Sequence, residues 1–109
     1  MIEKFLPIGS VVLLKGGKKK IMITGYGIFP TNTQIKNGQE VKPKKKLYEY
    51  GGCIYPEGII DSKVVCAFDH EQIEEICFMG YETDEYNQVN ETLKQNYDKV
   101  KDEFMKIDV

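Results

Sequence analysis

The chain has 109 residues, of which 41% are hydrophobic and 29% charged, and its formal net charge is −2 at pH 7. This length predicts one domain with a modest core, which excludes a deep, water-free active site that also holds a large cofactor. No apolar run approaches the roughly 20 residues of a membrane span. The N-terminus lacks the basic start and apolar stretch of a secretory signal, so we expect a cytoplasmic protein.

The charges are distributed unevenly along the chain. Residues 1–48 carry ten lysines and two acids, whereas residues 49–109 carry fifteen acids and five lysines, and there is no arginine. Arginine is the preferred side chain for bidentate contacts with phosphates and bases, so its absence weakens a nucleic-acid interpretation. We interpret the lysine runs at 18–20 and 44–46 as solvated turns.

The first 82 residues are typical of short strands separated by glycine and proline. The predicted strands cover residues 11–14, 20–29, 47–55, 63–68 and 74–81. Between the last two strands, residues 69–73 predict a short helical turn capped by Asp69. The polar segment 30–46 is compatible with a long loop or with a marginal hairpin around Asn37 and Gly38, and the sequence leaves both open.

This strand spacing predicts an α+β fold, in which a small, strongly bent antiparallel barrel or sheet of SH3-like type precedes a helix. The glycines expected at turns, bulges or bends are Gly9, Gly25, Gly27, Gly51, Gly52, Gly58 and Gly80. The predicted core comprises Val12, Leu14, Ile21, Ile23, Ile54, Val65, Phe68, Ile73, Ile76 and Phe78.

One uninterrupted amphipathic helix is predicted from about residue 83 to 106, so that a β module (1–82) and a terminal helix (83–109) form a single domain. Its apolar stripe consists of Tyr86, Val89, Leu93, Tyr97, Val100 and Phe104. We expect the proximal half of this stripe to pack on the β module. We expect the distal half to be exposed and to contact another protein through Leu93, Tyr97, Val100 and Phe104.

The residues that could carry out chemistry are few. The chain has a single histidine, His70, and no phosphate-binding P-loop motif. Cys53, Cys66 and Cys77 are too widely spaced for a zinc or redox motif, so we expect reduced thiols. A nucleophile pair of Cys66 or Cys77 with His70 is formally possible, but thiolates are disfavoured in apolar strands. We therefore expect a protein that is not an enzyme, with no catalytic residue, cofactor or metal site.

Five segments of the β module occur in a distinctive order and spacing: residues 6–12, 23–26, 48–58 (YEYGGCIYPEG), 68–73 (FDHEQI) and 78–82 (FMGYE). Together they resemble a family of small Gram-positive proteins catalogued as domain of unknown function 4176. The resemblance covers roughly residues 5–82 and does not extend to the terminal helix.

The resemblance implies a genomic neighbourhood rather than a chemical activity, because members are typically encoded in type VII secretion loci near toxins with LXG domains. It favours a chaperone or targeting factor that binds an LXG effector or its small helical companion. One alternative is an immunity protein whose acidic C-terminal half neutralises a toxin. A second is a weak RNA-binding barrel, with stacking on Tyr26, Tyr48 and Tyr50 beside the two lysine runs. Homo-oligomerisation is left open.

Overall fold

The computed structural model describes residues 4–29, 34–36, 39–41, 46–60 and 66–106. Its strands are β1 (Val11–Leu14), β2 (Ile21–Ile28), β3 (Gln34–Lys36), β4 (Gln39–Val41), β5 (Tyr48–Ile54), β6 (Cys66–Phe68) and β7 (Ile73–Phe78). A 3₁₀ helix (His70–Gln72) lies between β6 and β7, and α1 (Asp84–Lys106) follows β7. None of the helices in these ranges is both long and apolar enough to cross a membrane.

Five strands form one antiparallel sheet in the order β6-β5-β2-β1-β7. Within the described ranges, β6 and β7 are the two edges and do not pair with each other, so the sheet is open. The predicted α+β class is confirmed. Of the two forms predicted for the β module, the structure has the bent sheet and not the closed barrel. The buried side of the sheet is covered by α1 and by residues 4–7, which we call the N-terminal segment. All three share one hydrophobic core.

The buried core contains five of the ten predicted core residues, and it adds residues from outside the strands. Its members are Phe5, Leu6, Val12, Ile21, Ile23, Leu47, Tyr50, Phe68, Ile73 and Tyr97. Of the other predicted core residues, Leu14 and Ile76 pack against this cluster, and Ile54 is partly buried. Val65 lies outside the described residues.

The prediction that Phe78 is a core residue is wrong, because its side chain is 62% exposed. In β1, Val12 pairs with Ile76 whereas Val11 pairs with Phe78, and a register shift separates the two pairs. Consecutive residues of β1 face opposite sides of the sheet, so their partners do as well. The extra residue, Cys77, is a β-bulge that turns Phe78 away from the face on which Ile76 lies.

The polar segment after β2 contains a second, two-stranded sheet. Gln34 pairs with Val41, and Lys36 pairs with Gln39. This pairing agrees with the hairpin alternative for residues 30–46, although the expected turn at 37–38 lies outside the described residues. The predicted strand at 63–68 is described only from Cys66 onwards.

The short helical turn and α1 begin near the predicted residues. The backbone N–H of Asp69 donates to Oε1 of Gln72 at 2.8 Å, which is one half of a capping box. At the start of α1, the N–H of Tyr86 donates to Oγ1 of Thr83 at 3.0 Å, so Thr83 acts as the N-cap. The helix then continues for 23 residues to Lys106.

Candidate docking surface

The N-terminal segment lies between the sheet and α1 and holds them together. Phe5 and Leu6 are completely buried. The Phe5 ring lies 5.5 Å from the ring of Tyr26, 5.7 Å from that of Tyr50 and 5.5 Å from that of Tyr97, measured between ring centroids. Because these tyrosines belong to β2, β5 and α1, one phenylalanine bridges both layers of the fold.

Side chains satisfy the backbone of this segment, since it belongs to no strand. The N–H of Phe5 donates to Oδ1 of Asn90 at 2.7 Å, and the Phe5 carbonyl accepts from the Tyr86 hydroxyl. The N–H of Leu6 donates to the hydroxyl oxygen of Tyr50 at 3.0 Å. We call the tyrosines that surround the segment the tyrosine cluster: Tyr26, Tyr50, Tyr86 and Tyr97.

Burial is the main cause of the raised pKa of each hydroxyl in the tyrosine cluster. It raises the pKa of Tyr26 to about 12, and it raises the pKa values of the other three as well. The Tyr26 hydroxyl donates to the Leu6 carbonyl at 2.5 Å, and the Tyr97 hydroxyl donates to the Leu47 carbonyl at 3.1 Å. At neutral pH these hydroxyls are therefore protonated donors that hold backbone carbonyls.

His70 belongs to the same polar network. Its Nδ1 lies 2.8 Å from the Tyr50 hydroxyl, and its backbone N–H donates to Oε1 of Glu49 at 2.8 Å. The Tyr50 oxygen also accepts from the Leu6 N–H, so one hydroxyl connects His70 to the N-terminal segment. His70 thus joins the 3₁₀ helix to β5.

The cysteines considered as partners of His70 lie at opposite edges of the sheet. Cys66 is partly buried in β6, and Cys77 is exposed in β7. Burial raises the pKa of the Cys66 thiol, and the pKa of the Cys77 thiol is raised as well, by desolvation and by the nearby Glu75 carboxylate. Both shifts favour the neutral thiol, which is a poor nucleophile.

Two carboxylates, one at the beginning of β5 and one directly after β6, are buried and have hydrogen-bond partners. The Glu49 carboxylate accepts from Lys4 Nζ and from the backbone of His70. The Asp69 carboxylate accepts from the Glu49 N–H at 3.0 Å and from Lys46 Nζ at 2.9 Å. Buried carboxylates need such partners, so this pair fixes the 3₁₀ helix and the N-terminal segment to β5.

Several of the side chains considered for RNA binding have other contacts in the fold. Lys46 pairs with Asp69, and Lys19 pairs with Glu57 at 2.6 Å. Tyr50 is completely buried, so its ring is not available for base stacking. Lys44 and Lys45 lie outside the described residues.

The four residues expected to contact a partner through α1 differ in their surroundings. Tyr97 is only 7% exposed, whereas Val100 is 51% exposed. Leu93 and Phe104 are partly buried against the core, and the Phe104 ring lies 4.7 Å from the ring of Phe29. The expectation that the distal half of the stripe is exposed is therefore wrong for Tyr97, because α1 packs on the sheet along both halves. Partner contact by these residues stays a prediction.

A different apolar surface is exposed at the edge of the sheet, and we call it the Phe78 surface: Ile8, Phe78 and Tyr81. These side chains are 49%, 62% and 85% exposed, respectively. They line an open depression of about 640 Å³ together with Gly9, Met79, Gly80 and Glu82. Large apolar side chains that are exposed side by side commonly mark interaction sites.

A close crossing of two chain segments builds this depression. The Gly80 N–H donates to Oγ of Ser10 at 2.9 Å. A Cβ atom at Gly80 would lie 2.3 Å from the Ile8 carbonyl oxygen, so only glycine allows the two segments to approach this closely. The crossing brings Ile8 and Tyr81 to the same depression.

The sequence pattern concealed this surface, because Phe78 continues the apolar alternation of β7 and was assigned to the core. The available signal was the succession Phe78-Met79-Gly80-Tyr81, in which aromatic residues flank a glycine just before a helix. Such a succession indicates that the strand ends, but it does not indicate on which face the aromatic side chains lie.

The fold is thus an open antiparallel sheet covered by one terminal helix, with an exposed apolar surface where the last strand ends. A family model described as a domain of unknown function, DUF4176, matches residues 5–89. The chain belongs to this family, which confirms the resemblance found in the sequence. No curated protein and no solved structure matches the chain. The matched range contains the whole Phe78 surface, whereas Leu93, Tyr97, Val100 and Phe104 lie beyond it.

Proposed function

We propose that this protein is a non-catalytic accessory, a chaperone or targeting factor, that binds a type VII secreted effector of the LXG type in the cytoplasm. The observation that carries the proposal is the Phe78 surface, on which three large apolar side chains are exposed together. Keeping such side chains in water is unfavourable by roughly 25 cal/mol for each Å² of apolar area, and a protein partner would remove that area from water.

The polar interior supports the same proposal, because its groups serve the fold. Across the ranges that the structure describes, every buried side-chain nitrogen and oxygen has a hydrogen-bond partner. The hydroxyls of Tyr26, Tyr50 and Tyr86 hold the N-terminal segment, and the Glu49 and Asp69 carboxylates hold the 3₁₀ helix. These polar contacts stabilise the fold, and this supports a function that lies on the exposed surface.

Co-expression with an LXG effector from the same secretion locus tests the proposal. We expect the LXG region to co-purify with the wild-type protein and to be lost from the Phe78→Ser, Tyr81→Ser double variant. Tyr55→Ser is the matched control, because Tyr55 is 46% exposed on a turn elsewhere. Wild-type protein that captures no region of the effector would contradict the proposal.

An immunity protein is the second candidate, and the outer face of α1 favours it. Six acids are exposed on α1, against the three exposed lysines Lys94, Lys99 and Lys106: Asp84, Glu85, Glu91, Asp98, Asp102 and Glu103. A helix with this excess of acids could cover the basic cleft of a nuclease toxin. In the same co-expression experiment, capture of the toxin domain with loss of its activity would favour this candidate, whereas capture of the LXG region favours the accessory.

A further inference from the structure

We propose that the Phe78 surface binds an amphipathic helix of a partner protein whose apolar stripe is flanked by lysine or arginine. The inference rests on the proposed function in so far as the protein binds another protein. It does not require that the partner be a secreted effector.

The size and lining of the depression define the apolar part of the partner. Its volume of about 640 Å³ is large enough for two or three bulky side chains. Its apolar lining consists of Ile8, Phe78, Met79 and Tyr81. Side chains spaced by one helical turn on a partner would fill such a depression as anchors.

The charges around the depression define the flanks of the partner. Glu82 is exposed and lines the depression itself. Asp84 and Glu85 follow in the first turn of α1, and Glu75 is exposed on β7. Among the described residues, Lys20 lies close enough to β7 to act on the Cys77 thiol, whose pKa it lowers. The acids outnumber it, so lysine or arginine on the partner is favoured and acidic flanks are disfavoured.

The geometry of β7 favours a helix over an added strand. β7 is an edge strand, but its pairing with β1 shifts register at Glu74 and again at Cys77. Two bulges in six residues disturb the regular outward N–H and C=O groups that a new strand needs, and exposed acids on an edge act in the same direction. A helix satisfies its own backbone, so it can cover the apolar side chains without hydrogen bonds from this edge.

The test uses fluorescein-labelled synthetic peptides of about 18 residues, or about five helical turns. One has a leucine stripe flanked by lysine, the second has the same stripe flanked by glutamate, and the third has lysine but serine in place of leucine. Fluorescence anisotropy measures the affinity for the purified full-length protein. We expect the leucine–lysine peptide to bind at least about tenfold more tightly than either of the others.

Variants locate the binding on the surface. Phe78→Ser and Tyr81→Ser should each weaken the leucine–lysine peptide at least about tenfold, and Glu82→Lys should weaken it and reduce its dependence on salt. The matched controls are Tyr55→Ser for the loss of an exposed aromatic ring and Glu103→Lys for the change in net charge. Both controls should bind like the wild type. Tyr81→Ser keeps the test valid even if Phe78→Ser disturbs the fold, because Tyr81 is 85% exposed.

Three results would overturn the inference: equal affinity for the leucine–glutamate peptide, equal loss in the controls, or wild-type self-association abolished by Phe78→Ser. The last result would show that a second copy of the chain occupies the surface. If these peptides fail while an LXG region still co-purifies, the helix inference fails alone. If both fail, the proposed function fails with it.

Discussion

Replacing Tyr97 distinguishes a helix that is part of the core from a helix that projects. Tyr97→Ala removes a ring that is 7% exposed and contacts Phe5 at 5.5 Å between centroids. Deleting a buried aromatic ring costs about 3–5 kcal/mol in the free energy of unfolding. Tyr97→Phe keeps the ring and removes only the hydrogen bond to the Leu47 carbonyl, which costs about 1 kcal/mol. Val100→Ala, one turn further along, should cost about 1 kcal/mol or less, because Val100 is half exposed.

Urea denaturation provides the measurement, followed by tyrosine fluorescence because the chain has no tryptophan, and by far-UV circular dichroism. A domain of this size has a total unfolding free energy of about 5–15 kcal/mol, so Tyr97→Ala should shift the midpoint strongly. If Tyr97→Ala fails to fold, Tyr97→Phe still gives a measurable loss. A Tyr97→Ala variant that is as stable as Val100→Ala would refute the packing of α1 on the sheet.

Three further outcomes are expected. Gly80→Ala should lower the unfolding free energy by about 2 kcal/mol through the clash with the Ile8 carbonyl, whereas Gly25→Ala, whose nearest neighbour would be 3.7 Å away, should lose clearly less in the same urea experiment. The unfolding free energy of Phe78→Ala should stay within about 1 kcal/mol of the wild-type value, whereas that of Phe68→Ala should fall by about 3–5 kcal/mol. Equal losses in the two variants would show that Phe78 is a core residue. In an absorbance titration at alkaline pH, the tyrosine cluster should ionise later in the folded protein than in urea. Because folding raises these pKa values, their contribution to stability is complete below about pH 10 and is lost at higher pH, which for Tyr26 means as the pH rises through about 12. Superimposable curves would contradict the burial of the cluster.

Local pattern was sufficient for the order and type of the elements. β1, β2 and β5 are rich in β-branched, aromatic and other apolar residues, and α1 has an uninterrupted helical stripe behind an N-cap. These features depend on neighbours in the sequence, and they appear in the structure near the predicted bounds.

The failures all concern long-range contacts. Phe78 follows the alternation of β7, but a bulge at Cys77 that is visible only in the pairing with β1 changes the face on which it lies. Phe5 and Leu6 precede the first strand and show no periodicity, so nothing in the sequence identified them as the centre of the core. Tyr97 was assigned to a partner because the sequence gives the stripe of α1 without the surface that covers it.

The candidate site also divides into features that a local sequence pattern predicts and features that depend on long-range contacts. The apolar stripe of α1 is a periodic signal and was found, although the sheet covers much of it. The Phe78 surface arises from a crossing of segments about 70 residues apart, joined by the Gly80–Ser10 hydrogen bond. No local pattern encodes such a crossing, so the structure was needed to place Ile8 beside Tyr81.

Amide hydrogen exchange of the protein, alone and in complex with an LXG effector, tests the central claim most directly. The account predicts slower exchange on binding in the backbone of residues 8–10 and 78–82, which form and flank the Phe78 surface, with little change around Tyr97. Protection confined to residues 93–104 of α1 would contradict the account, because it would show that the partner docks on the helix.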